Sequence, residues 1–198
     1  MPNVEANLLI VEDDVQLRVL LSETFASLGY KVRSTQDGFS ALRELRSEIP
    51  DIILSDLDMP GMSGFELLSV VRRRFPAVGV VAMSGRIAGD LVPHGVAADA
   101  FYEKGTSLDS LLQLVGAMAP HCAVTSLQHP TSLTPIWIPM IACDLSGATS
   151  VVISCPECLR TFPQLLTEAV CPIHSTTCVH CNTVIHYAIV DPADPASP

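Results

Sequence analysis

Short apolar runs that break off in polar residues set the rhythm of the first half of the chain. Asn7-Leu8-Leu9-Ile10-Val11, Asp51-Ile52-Ile53-Leu54-Ser55 and Val78 to Met83 read as strands covered on both faces. Between them apolar residues recur at helical spacing. Leu17, Leu20, Leu21, Thr24 and Leu28 precede the stop at Gly29, Leu42 and Leu45 face inward within residues 38–48, and Phe65, Leu67, Leu68 and Val71 follow the capping Ser63 in a helix through Arg74. Tyr30 to Ser34 and Ala100 to Glu103 supply two more strands. A weaker helix interrupted by Pro93 is expected over Ile87 to His94, and Ser107 caps a last helix through Met118. Five strands alternating with five helices predict an α/β fold: a doubly wound, five-stranded parallel sheet of order 2-1-3-4-5.

Ligands and chemistry collect at the carboxyl edge of such a sheet, because its loops vary while its strands stay fixed. That edge is expected to gather Glu12, Asp13, Asp56, Ser84 and Lys104. Pro60, Gly61 and Gly64 prevent the third strand from continuing past Asp56. Close carboxylates repel and favour a divalent cation, for which Mg²⁺ is the hard, oxygen-seeking choice. A carboxylate can attack phosphorus to give an aspartyl phosphate, with the cation and a lysine neutralising the transferring group. Asp56 is the expected nucleophile. Asp14 is read as a cap of the first helix, Arg72-Arg73-Arg74 as a solvated helix end, and Arg18 and Arg86 as surface residues.

Four stretches carry a resemblance: Val11-Glu12-Asp13-Asp14, Leu54 to Gly64, Met83-Ser84-Gly85 and Ala100 to Lys104. Residues 5–119 resemble the receiver domain of two-component response regulators, a flavodoxin-like fold. The resemblance implies that Asp56 is the phosphoacceptor, that Asp13 ligates Mg²⁺ directly, Glu12 through water, and Asp58 through its backbone carbonyl. It makes Ser84 the switch hydroxyl, Phe101 the switch aromatic residue and Lys104 the phosphate-binding base, and leaves Tyr102 a structural role. The phosphate is then expected from a sensor histidine kinase or phosphotransfer protein. Gly105 stands where receivers usually carry a proline in a cis peptide, and a cis bond before a non-proline residue costs about 3 kcal/mol, so a trans bond is expected.

Beyond Met118 the pattern changes, and ten of the fifteen prolines fall in residues 120–198. Residues 120–134 read as a linker, 135–190 as a small β-rich module and 191–198 as a disordered tail. Pro135 to Ile141 is an edge strand or a packing strip, since its prolines exclude a central strand; Thr149 to Ser154 and Thr183 to Val190 are further strands. Cys155-Pro156-Glu157-Cys158 and Cys178-Val179-His180-Cys181 are two Cys-x-x-Cys turns, each followed by an apolar residue, Phe162 or Ile185, placed to lie under a metal. Two such turns suit one tetrahedral Zn²⁺ in a closed structural site, and residues 149–190 resemble zinc-ribbon modules. A rival set, Cys155, Cys158, Cys171 and His174, also has metal spacing. The four cysteines are preferred because the two turns match each other. Cys122 and Cys143 are read as ordinary apolar residues, and His180 and His186 as exposed non-ligands. Forty residues hold too little core to be stable without such a staple.

Composition narrows the partners. The longest apolar runs fall short of a membrane span and no signal-peptide order opens the chain, so a cytoplasmic protein is expected. Seven cysteines, four of them in Cys-x-x-Cys pairs, suit metal ligation better than disulfides. A net charge of −10 repels nucleic acid, and residues 120–198 hold one cation, Arg160, against Asp144, Glu157, Glu168, Asp191 and Asp194. A phosphorylated signalling protein whose zinc module contacts an unknown protein partner is therefore preferred to a DNA-binding transcription regulator. A hydrolase using an aspartyl nucleophile lacks any substrate cap, so enzymatic turnover beyond self-phosphorylation and self-dephosphorylation is not expected.

Overall fold

The computed structural model describes residues 6–87, 96–118, 136–139, 150–166 and 173–190. Strands β1 (Asn7–Val11), β2 (Lys31–Thr35), β3 (Ile52–Asp56), β4 (Gly79–Ser84) and β5 (Ala100–Glu103) form one parallel sheet of order β2-β1-β3-β4-β5, as the pattern predicts. Every residue of β3 is buried, which accounts for its unbroken apolar run. Helices α1 (Val15–Ser27), α2 (Gly38–Ser47), α3 (Gly64–Arg74) and α4 (Leu108–Met118) link or flank the strands. All four start on capping side chains, with Ser107 accepting from the Asp109 N–H ahead of α4. Asp14, Asp37 and Ser63 accept from the backbone N–H of Leu17, Ser40 and Glu66. The helix expected over Ile87 to His94 lies almost wholly outside the described residues.

The helices divide between two apolar layers. α1 and α4 cover one face of the sheet, around Leu8, Ile10, Leu21, Phe25, Leu54, Leu111 and Val115. α2 and α3 cover the other, around Leu9, Leu42, Leu45, Ile53, Leu67, Leu68 and Val71. One helix departs from its expected face. In α1 the buried stripe is Leu21 and Phe25 with half-buried Leu17, at four-residue spacing, while Leu20 and Leu28 are 52% and 48% exposed. Phe25 instead packs edge-on to Tyr30, with ring centroids 5.5 Å apart.

Strands β6 (Ile136–Pro139), β10 (Val184–Val190) and β9 (His174–Thr177) form a second sheet in that order; β6 is parallel to β10, and β9 is antiparallel to it. β7 (Ser150–Ser154) and β8 (Thr161–Leu165) pair as an antiparallel hairpin. β6 is an edge strand among the described residues, where its proline is tolerated. Among the described residues these C-terminal strands close no core of their own. β6 lies along α3, and Ile136, Ile138, Val151, Ile153, Phe162, Ile185 and Tyr187 join the apolar layer that α2 and α3 bury.

One polar link crosses that junction. Glu66, in the first turn of α3, is 3% exposed and accepts a 2.8 Å hydrogen bond from Ser154 Oγ at the end of β7. Burial pushes its carboxyl up to about 7, the Ser154 bonds opposing. Farther out, Arg74 lies 3.7 Å from Glu157 of the first cysteine turn, and Arg72 pairs at 2.7 Å with Asp99. Arg72 is thus engaged within the receiver, while Arg74, 44% exposed, keeps to the solvated helix end that its sequence suggests and reaches toward the cysteine turn from there. Linker residues 120–134, Cys122, Cys143, Cys171 and the tail 191–198 lie outside the described residues.

Candidate functional site

The carboxyl edge of the parallel sheet brings together the five residues expected there. Glu12 and Asp13 follow β1, Asp56 ends β3, Ser84 ends β4 and Lys104 follows β5. Carboxylate oxygens of Glu12, Asp13 and Asp56 lie within 4.8 Å of one another; Glu12 and Asp56 are buried, Asp13 is exposed. Lys104 Nζ donates to Asp56 Oδ2 at 2.6 Å and to Glu12 Oε1 at 3.0 Å, so one cation serves two buried acids. Burial drives the Glu12 carboxyl above its ordinary range, the Lys104 bond opposing and the Asp56 charge adding to the rise. For Lys104, burial works to lower the pKa, but the bonds to Asp56 and Glu12 outweigh it and hold the ammonium above the ordinary lysine range. The three carboxylates form a donor set that suits a hard divalent cation on the exposed, Asp13 side, with the Lys104 ammonium balancing the buried pair from the other.

Backbone packing sets the nucleophile's position. The N-terminus of α3 presses on the end of β3 so closely that a Cβ on Gly64 would lie 2.0 Å from the Asp56 carbonyl oxygen. Glycine is therefore a steric requirement there. Asp58 N–H donates to Asp56 Oδ1 at 3.1 Å, which turns the carboxylate toward the loop.

Ser84 does not touch Asp56. Its hydroxyl donates to Asp58 Oδ2 at 2.7 Å and accepts from the N–H of Arg86 at 3.0 Å, while Arg86 itself lies 3.2 Å from Asp58 Oδ1. The Asp58 side chain and the Arg86 N–H thus form a clamp on the hydroxyl that sequence reading misses, although the Arg86 side chain, 73% exposed, is the surface group its sequence suggests. Arg18 was missed in the same way; its guanidinium donates to the backbone carbonyls of Glu12 and Asp13. An arginine one helical turn beyond an acidic strand end was the available signal. Phe101 is buried in the α2/α3 layer, and Tyr102 is buried in the opposite one, its hydroxyl donating to the Thr106 carbonyl. Gly105 has φ +92° in a trans chain, a conformation closed to proline.

A second cluster forms in the C-terminal strands. Cys155, Cys158, Cys178 and Cys181 present sulfurs within 4.8 Å of one another, with Cys155 to Cys181 at 3.6 Å and Cys158 to Cys178 at 3.7 Å. The two turns repeat one backbone pattern. Leu159 N–H donates to the Cys155 carbonyl and Cys155 N–H to that of Arg160; Asn182 and Cys178 do the same with Cys178 and Thr183. Leu159 and Asn182, each directly after the second cysteine, both take a left-handed φ, 53° and 61°. Phe162 and Ile185, the apolar residues after each turn, are both buried. Burial raises the Cys155 and Cys158 thiols, whereas the Thr183 hydroxyl lowers Cys181 to about 6. His180 reaches the Thr161 carbonyl and His186 reaches Ser175. His174 stacks on Tyr187, and Cys171 of the rival ligand set lies outside the described residues.

A doubly wound sheet with a lysine-neutralised carboxylate pair at its carboxyl edge defines a class of α/β protein that works through a strand-end aspartate. The family model of the response regulator receiver domain matches residues 8–116, more than half of the chain, and the chain belongs to that family. Receiver domains are signalling domains phosphorylated by histidine kinases, and they bind Mg²⁺ in an acidic pocket such as the Glu12, Asp13 and Asp56 group. The DNA-binding transcriptional regulator NtrC of Escherichia coli K12 is 31% identical over 114 residues, 57% of this chain and 24% of the relative. The chain spans about a quarter of the length of the first curated relatives it matches. Among solved structures, the Vibrio cholerae chemotaxis protein CheY4 is 26% identical with a TM-score of 0.53, covering 58% of this chain and 98% of that one. Response regulator TrrA of Thermotoga maritima, solved in complex with histidine kinase ThkA, is 26% identical with a TM-score of 0.53, covering 57% and 97%. No helix among the described residues is long and apolar enough to cross a membrane.

Proposed function

We propose that this protein is a response regulator that accepts a phosphoryl group on Asp56 from a histidine kinase and passes the signal through a C-terminal zinc-ribbon module to a protein partner. The observation that carries the first half is the Asp56 carboxylate, buried at a strand end and held by Lys104 at 2.6 Å. Asp56 Oδ forms the new O–P bond as the N–P bond of a phosphohistidine breaks, its electron pair returning to the imidazole nitrogen. Lys104 then moves its bond from the carboxylate to a phosphoryl oxygen. Asp13, Asp56 and the Asp58 carbonyl would hold Mg²⁺, with Glu12 acting through water; the ion supplies charge neutralisation for the transferring group. Ser84 reaches the phosphate by leaving the Asp58 and Arg86 clamp, and Phe101 follows as the switch aromatic residue. The TrrA–ThkA complex supports a kinase as the partner.

The thiol cluster fits Zn²⁺ on geometry. A tetrahedron with Zn–S bonds of about 2.3 Å has edges of about 3.8 Å, against the observed 3.6 and 3.7 Å, and a disulfide would need about 2.05 Å. Cys155, Cys158, Cys178 and Cys181 would close the site, so the ion holds the fold together and leaves no open position. We divide the chain accordingly, with a receiver over 5–119 and the zinc module over 135–190. The module exposes Leu165, Ile173, Val179 and Val184, at 50–67%, on a segment with a single cation. Apolar exposure without basic charge favours a protein partner over DNA. NtrC matches through the receiver, which leaves its DNA binding as an analogy from fold alone.

Incubation with Mg²⁺ and acetyl phosphate tests the central claim. One labile phosphate, released by alkali and by hydroxylamine, is expected on the wild type and none on Asp56→Asn. Equal labelling of the two, or none on the wild type where a known receiver labels, would overturn it.

A further inference from the structure

We propose that the cleft between α2 and the first cysteine turn binds a small-molecule anion that carries phosphate groups. The cleft has a volume of about 1020 Å³, room for a nucleotide-sized ligand. One wall is α2, which presents Arg43 and Arg46 one turn apart. The facing wall is the loop after Cys158, which presents Arg160, the sole lysine or arginine beyond residue 119, with His180 from the second cysteine turn beside it.

Pairing separates these three arginines from most of the others. Arg33, Arg72, Arg74 and Arg86 each meet a carboxylate, whereas among the described residues Arg43, Arg46 and Arg160 meet none. Arg43 has only the Ser40 hydroxyl, at 2.8 Å. In a chain of net charge −10, guanidinium groups have many acids to choose from, yet these three line one open cleft without a carboxylate partner among the described residues. Two acids share the cleft. Asp37 is committed to capping α2, its oxygens taking the Ser40 N–H at 2.7 Å and the Ser40 hydroxyl at 3.1 Å, and Asp13 belongs to the acidic site at the far rim.

Geometry selects the ligand class. A carboxylate is satisfied by one guanidinium fork, but three forks from two walls call for an anion with more oxygens and more than one charge. Phosphate and pyrophosphate groups have both. Half-buried Phe39 and buried Leu159 line the same cleft and offer an apolar surface to the organic part of a phosphorylated ligand. Because the walls come from the receiver and from the C-terminal module, such a ligand would clamp the two together and raise the stability of the docked arrangement by mass action. The inference uses the docking of the module and does not depend on Asp56 chemistry.

The test uses the full-length, zinc-loaded protein carrying Asp56→Asn, with no added Mg²⁺, titrated calorimetrically with pyrophosphate, adenosine diphosphate and adenosine. The two anions are expected to saturate one site and adenosine to give no binding. Arg43→Gln with Arg46→Gln, and separately Arg160→Gln, are expected to weaken anion binding at least tenfold while zinc content and circular dichroism stay unchanged. Tighter binding of the diphosphate nucleotide than of pyrophosphate assigns the apolar wall a role; equal binding assigns the site to phosphate alone. Absence of saturable binding by either anion overturns the proposal, as does binding that Lys104→Gln abolishes and the arginine variants leave intact, since the anion would then occupy the acidic site.

Discussion

The receiver and the C-terminal strands both hold reactive groups in turns at strand ends, yet they fix those groups with different resources. Asp56 ends a strand whose every residue is buried, between a neighbour on each side and a helical layer on each face. The cysteine turns hang from a two-stranded hairpin and a three-stranded sheet that borrow cover from α2 and α3. The first site is held by the fold around it. The second depends on its own ligand contacts and on a host surface, as expected for a segment with too little core to stand alone. The same contrast appears in the polar groups. Lys104 compensates two buried acids within one sheet edge, whereas buried Glu66 finds its partner, Ser154, only across the junction.

The largest effect is expected from removing the Zn²⁺ proposed for the four thiols. Chelation, or Cys155→Ser, is expected to unfold the C-terminal strands while the receiver still labels on Asp56; zinc sites of this kind contribute on the order of 10 kcal/mol. Hydrogen exchange read separately over residues 150–190 and 6–87 checks it, and loss of protection in both halves together would show that the receiver needs the module.

A smaller effect is expected at the junction. Ser154→Ala removes the hydroxyl bond to the buried Glu66 carboxyl while keeping the Ser154 backbone bond, and should cost about 1 kcal/mol in thermal or denaturant unfolding. Glu66 also makes docking depend on pH. Its folded pKa of about 7 lies above the unfolded value of 4.5, so the native state binds the proton more tightly. The associated stability is fully present below pH 4.5 and is lost as pH rises through 7, by at most about 3 kcal/mol. Thermal midpoints of wild type and Glu66→Gln, followed from pH 4.5 to 8, should diverge in that window, the wild type falling relative to the variant. Parallel curves would place the carboxyl outside the linkage.

The smallest change is expected at the receiver's outer edge. Lys31 and Glu48 pair at 2.8 Å, but both are well exposed, and Lys31→Met should leave stability nearly unchanged. Unfolding in low and high salt checks this: a large, salt-sensitive loss would give that pair a weight its exposure does not support.

Much of the fold could be read in the chain because its signals are local. Apolar runs over Leu8 to Val11 and Ile52 to Leu54 need burial on both faces, and Asp14 and Ser63 cap helices through bonds three residues away. Cys-x-x-Cys turns aim their thiols through backbone bonds four to five residues apart. The face of α1 was harder, since apolar Val15, Val19, Leu20 and Leu28 are exposed and blur the stripe.

The strand-end acids, the serine, the lysine and the four cysteines were therefore determined by sequence, each marked by a short-range pattern that physics allows few ways to satisfy. Tertiary structure alone decided that Ser84 rests on Asp58, that Glu66 is sealed under Ser154, and that Arg160 faces Arg43 and Arg46 across a cleft. Two of these pairings join residues far apart in sequence, 26 apart for Ser84 with Asp58 and 88 for Glu66 with Ser154. A contact between segments distant in sequence leaves no periodicity in either one; for the C-terminal strands it is set by which apolar layer remains uncovered, and here that layer is the outer face of α3.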